Sequence, residues 1–86
     1  AATPHHHLNK WDNEFNLHSV KYAAVYYVEV GDIGADQPGN LSLHEPDILI
    51  QPNKGDLIIF PASRMHSAHY NGLKKRIILG INFYTI

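Results

Sequence analysis

No window of a dozen residues in this 86-residue chain repeats its apolar residues at helical spacing, so the fold has to be built from strands. The first clear one is KYAAVYYVEV, Lys21–Val30, rich in β-branched and aromatic residues and free of Gly and Pro. A loop dense in Gly, Asp and Asn follows over residues 31–40. LSLHE and ILIQP read as short strands separated by a turn at Pro46 and Asp47. Asn53, Lys54 and Gly55 form a tight turn into DLIIF, a buried strand. PASRMH reads as a connection, SAHY as a short strand, NGLKK as a hairpin loop and RIILGINFYTI as the long final strand. Residues 1–18 show no sustained period and read as a loop with at most one short strand. Short strands between Gly, Pro and Asn turns, without internal repeats, predict one all-β domain over residues 1–86, arranged as a jelly roll.

Composition narrows the function classes. A formal net charge of -1 gives no basic surplus for nucleic acid. Cys is absent, which excludes disulfides and thiolate metal sites. No apolar run approaches the roughly 20 residues of a membrane-crossing helix. No leader pattern opens the sequence, so the default expectation is a cytoplasmic protein. The sequence starts at Ala1 without Met, and a β-barrel core usually needs more chain than this, so truncation at the N-terminus is expected. Strand edges on so short a chain suggest pairing of two copies as a homodimer.

The stretch GDLIIFPASRMHSAH carries the strongest chemical signal. His66 follows a buried strand and a Pro turn, a place where rigid backbone aims an imidazole inward. Ten residues later Arg76 opens the last strand beside Ile77 and Ile78. Arg is costly to bury without an anion, and its planar fork matches a carboxylate. A solvated cation at a strand end, after Lys74 and Lys75, is the plainer reading of the same residue. Along the last strand, alternation puts Arg76, Ile78 and Gly80 on one face and Ile77, Leu79 and Ile81 on the other.

Gly55-Asp56, Phe60-Pro61, His66, Arg76 and Asn82-Phe83 together resemble the distal half of the double-stranded β-helix of iron(II)- and 2-oxoglutarate-dependent oxygenases. The strand AAVYYVEV is similar to the one that follows that family's first metal motif, so the likeness runs from about Lys21 to Ile86. It implies a metal ligand at His66, a 2-oxoglutarate carboxylate on Arg76, Fe(II) as the metal, and oxidation of a small-molecule or peptide substrate. The family's first motif, His-x-Asp or His-x-Glu, occurs nowhere in the sequence. His5 and His7 have the same separation and are taken as the remaining ligands; Asp12 and His18 are alternatives. Three consecutive histidines are also what the remnant of an affinity tag looks like.

Other side chains stay open at this level. Tyr26 and Tyr27 lie on opposite strand faces; Tyr27 is taken as the inward one that donates to the co-substrate, with a plain core role beside it. His69 and His44 are expected at the surface, and Trp11 with Phe15 over the open end of the barrel. Two rivals remain. A metal-binding cupin would explain Gly55, Pro61 and His66 but would not need Arg76. A non-catalytic β-sandwich binding module would leave the histidines incidental.

Overall fold

A computed structural model describes residues 2–85, which form seven strands and one short helix. In chain order these are β1 (Ala2–His5), α1 (Lys10–Glu14), β2 (Lys21–Val30), β3 (Leu41–Leu43), β4 (Ile48–Ile50), β5 (Leu57–Pro61), β6 (His66–Ala68) and β7 (Arg76–Tyr84). The strands pair antiparallel in two sheets, ordered β1-β6-β3-β4 and β5-β2-β7. Only the β3–β4 connection stays within a sheet; every other link carries the chain across to the opposite one. The all-β expectation therefore holds.

The centre of the smaller sheet is β2, paired with β5 over Tyr22–Tyr26 and with β7 along nearly its whole length. An irregularity between Tyr27 and Glu29 leaves Val28 unmatched and lets both flanks keep register. Alternation then decides the core. Ala23 of β2 and Phe60 of β5 face Leu41 and Leu43 of β3, with Val25, Ile50 and Ile58 packed around them. On the opposite face of the same sheet Tyr26, Val28, Leu57, Ile59, Ile77, Leu79 and Ile81 are all exposed, and no other described element covers them. The turn into β5 uses Gly55 at φ +88, a left-handed conformation that glycine adopts without strain.

Residues 2–18 hold more regular structure than their lack of period suggests. They supply β1 and α1. The helix is one turn and a half, far below the length that is stable by propensity alone. Its start is fixed by a capping box: the Asn9 side chain accepts from the Trp11 and Asp12 amides, and Asp12 Oδ2 accepts from the Asn9 amide at 2.8 Å. The same Asp12 side chain is fully buried and ties the helix down. Lys21 Nζ donates to Asp12 Oδ2 at 2.8 Å and Tyr84 Oη donates to Asp12 Oδ1 at 2.6 Å. Trp11 and Phe15 do not close an end of the molecule. They stack on each other, 6.0 Å between centroids, and are 52% and 63% exposed, because the helix turns Asp12 inward instead.

Burying a carboxylate costs free energy unless its charge is met, and here an ammonium and a phenol meet it. Hydrogen bonds from Lys21 first, then from Tyr84, hold the Asp12 carboxyl at about 2. A carboxylate with a lowered folded-state pKa stabilises the fold above its unfolded value and loses that contribution as pH falls through the folded one. The stability gap between the natural protein and Asp12→Asn should therefore be constant from about pH 5 upward to neutrality and close between about pH 4 and 2. Thermal melts across that range test it; a gap that persists at the acid end would contradict the buried pair.

Candidate metal centre

The antiparallel pairing of β1 with β6 sets His5 directly across from His66. His7 lies two residues on, where its amide donates to the Ala62 carbonyl at 2.9 Å and its own carbonyl accepts from Lys21 Nζ at 2.7 Å. Successive residues of an extended chain point to opposite sides, so His5 and His7 turn inward while His6 is exposed. The three rings of His5, His7 and His66 pack together, with centroids 4.2 to 5.2 Å apart. One ring nitrogen from each lies within 4.8 Å of the others, and among the described residues these three form the cluster able to hold a metal ion. Of the run at residues 5–7, His5 is built into the sheet in this way and His7 follows it.

His66 is the most enclosed of the three, 6% exposed, with Phe60 edge-on to its ring at 4.7 Å. Its Nδ1 lies 3.1 Å from the Arg64 carbonyl. A carbonyl only accepts, so Nδ1 carries the proton and the Nε2 lone pair faces the other histidines. His7 Nε2 is 3.0 Å from His66 Nε2. Imidazole bonds of about 2.1 Å to one ion would place two nitrogens about 3.0 Å apart at a right angle and about 3.4 Å apart at a tetrahedral angle. The His7–His66 spacing is that of two adjacent ligands of one ion, and equally that of an N–H···N hydrogen bond between the two rings. Burial, then the nearby positive charge available to the other histidines, lowers the pKa of His7. Burial also lowers that of His66, against the opposing pull of the Arg64 carbonyl. Both therefore favour the neutral form a metal requires.

Neither alternative ligand joins them. Asp12 is the nearest carboxylate in sequence, but both its oxygens are committed to Lys21, Tyr84 and the Asn9 amide. His18 is exposed and outside the cluster. Among the described residues the candidate cluster is three imidazoles with no carboxylate.

A cavity of about 470 Å³ opens beside the histidines, and Arg76, Tyr27 and Asn82 line it with them. Arg76 does point inward, on the side of Ile78 and Gly80 as alternation requires. Its charge is not left unmet, however, and to this extent the expectation of an obligatory anion is corrected. Nη1 donates to the Val30 and Pro38 carbonyls at 3.2 and 3.3 Å, and Nη2 donates to the Gly39 carbonyl at 2.9 Å. The guanidinium also lies between the rings of Tyr27 and Tyr70, 5.6 and 5.3 Å from their centroids. Guanidinium has five N–H groups, so one on Nη2 and that on Nε, adjacent on one edge, are not used by these carbonyls. Tyr27 is 1% exposed; burial raises its pKa, so it stays a neutral donor.

His69 is exposed as expected. His44 is not simply at the surface: Nε2 is 3.0 Å from Ser67 Oγ and Nδ1 is 3.4 Å from Asp47 Oδ1. The order of groups is that of a nucleophile relay, but Ser67 is 6% exposed, which denies a substrate access to Oγ. The contact links β3's end to β6. Gly39 and Tyr70 were missed by sequence reasoning. Gly39 has φ +84, and the Arg76 guanidinium occupies the space a Cβ would need. Pro38-Gly39-Asn40 carries the turn chemistry for such a bend, but only the fold brings Arg76 to it.

No known family model, no characterised protein and no solved structure matches this chain.

Nitrogen NMR of the metal-free protein should show His66 as the Nδ1–H tautomer, with both His66 and His7 titrating below the ordinary histidine value. An Nε2–H tautomer for His66, or midpoints at or above the ordinary value, would contradict this geometry.

Proposed function

We propose that the chain forms a mononuclear metal site on His5, His7 and His66, and acts as an Fe(II)- and 2-oxoglutarate-dependent oxygenase on a small-molecule or peptide substrate. The convergence of His5 from β1, His7 from the segment after it and His66 from β6 onto one cavity is the observation that carries it. Three nitrogen ligands on one face suit a first-row metal and leave its other positions for co-substrate and O2. Bound there, the metal would supply O2-dependent oxidation of a C–H bond. The chain's residues do the rest. His66 is held in the right tautomer by Arg64. Arg76 offers its unused Nε and Nη2 edge to a carboxylate, and Tyr27 offers its hydroxyl. The apolar walls, Val25, Leu41 and Ile78 among them, would exclude water around the reacting atoms.

The winding of the chain supports the double-stranded β-helix reading. A jelly roll is a pair of sheets filled alternately by successive strands. The sheet order β1-β6-β3-β4 over β5-β2-β7, with a crossover at nearly every link, has that character.

One observation favours a second reading, a cupin-like metal protein that uses no 2-oxoglutarate. Arg76 has a structural reason to be where it is, because it fastens the 30–39 loop to β7 through three carbonyls.

Anaerobic titration separates the two. His66→Ala should weaken Fe(II) or Mn(II) binding by about tenfold or more. With Fe(II) bound, 2-oxoglutarate should give a saturable charge-transfer band in the natural protein. Arg76→Met should lose that band, at a cost of about 2–5 kcal/mol in co-substrate binding, and keep its metal affinity. Metal binding without any such band selects the cupin-like reading; unchanged metal affinity in His66→Ala removes both.

A further inference from the structure

We infer that Lys21 and Asp12 are positioning residues for the metal site: they hold His7 in place, so that the third ligand depends on a buried ion pair outside the cavity. The inference rests on the metal reading above and goes beyond it.

His7 is the ligand with least support from secondary structure, since β1 ends at His5 and α1 begins at Lys10. Its backbone is pinned at two points. The amide donates to the Ala62 carbonyl at 2.9 Å, and the carbonyl accepts from Lys21 Nζ at 2.7 Å. Lys21 is the first residue of β2, the central strand of its sheet, and is 6% exposed. An ammonium so enclosed needs an anion, and Asp12 supplies one at 2.8 Å with 1% of its side chain exposed. Asp12 in turn accepts from Tyr84 near the end of β7 and from the Asn9 amide two residues past His7. One ionic cluster thus joins β2, β7 and both ends of the 7–12 segment.

The arrangement has a directional consequence. An ammonium bound to the carbonyl side of His7 fixes the peptide plane and so the Cα–Cβ direction of the ring. His5 and His66 are set independently by the β1–β6 pairing. Loss of Lys21 should therefore release one ligand and leave the other two. An ion pair present for stability alone would not discriminate between ligands.

The experiment uses Co(II), whose visible spectrum reports ligand number and geometry, with affinity measured by calorimetry on the same samples. The variants are His7→Ala, Lys21→Met, Lys21→Arg, Tyr84→Phe and Ile50→Ala. The last trims a side chain packed against the core on β4, two strands from His66 and outside the cavity. Lys21→Met should bind Co(II) about 10–100-fold more weakly, with the spectrum of His7→Ala. Lys21→Arg, which keeps charge and donors, should recover part of the loss. Ile50→Ala should lose thermal stability yet keep the natural spectrum and affinity. If folded Lys21→Met matches the natural protein, or Ile50→Ala loses affinity equally, the positioning role is overturned. If Lys21→Met does not fold, Tyr84→Phe decides: a weaker Co(II) complex supports the role and an unchanged one overturns it. Absence of Co(II) binding by the natural protein overturns the metal reading itself.

Discussion

The pairing of β1 with β6 is the contact on which the site depends. It places His5 opposite His66, brings the N-terminal segment onto the four-stranded sheet, and delivers His7 to the same cavity. β1 is an edge strand of four residues that pairs, among the described residues, with β6. Two ladder positions would hold it weakly, and the irregularity between Ala2 and His5 reduces the ladder further. The remaining hold comes from beyond the strand: the His7 backbone bonds to Ala62 and Lys21, and α1 anchors through Asp12. A polar cluster therefore supplies what a longer strand or a larger apolar core would otherwise have provided. Breaking it leaves an uncompensated buried charge.

Charge is handled in a second way at the other end of the cavity. Arg76 is kept by carbonyl oxygens and ring faces instead of a carboxylate, which fixes the guanidinium without cancelling its charge. The same bonds close the loop after β2 onto β7, so fold and cavity share one residue.

Several elements were legible in the sequence. The composition of KYAAVYYVEV and RIILGINFY gave the two long strands, and the turn residues around Gly55 placed β5. His66 stood out because it follows an apolar strand and Pro61, although the expectation that this strand is buried is corrected: β5 buries Phe60 while Leu57 and Ile59 lie exposed on the uncovered face of the sheet. His5 and His7 followed from their spacing, which alternation turns to one side. The helix at Lys10–Glu14 was not found by periodicity, since five residues cannot display a 3.6-residue repeat; Asn9 and Asp12, three apart, were its only local mark. The buried role of Asp12 was also beyond reach, because its partners Lys21 and Tyr84 are 9 and 72 residues away. For the same reason Gly39 and Tyr70 could not be linked to Arg76, and His44 was read as a surface residue although β6 presents Ser67 to it.

The central claim is that these three imidazoles bind one ion together. X-ray absorption at the metal edge of the Co(II)-loaded protein tests it most directly. The account predicts imidazole scattering from three rings with metal–nitrogen distances of about 2.1 Å, reduced to two rings in His66→Ala. A spectrum of light-atom ligands without imidazole outer-shell scattering, unchanged by that substitution, would contradict it.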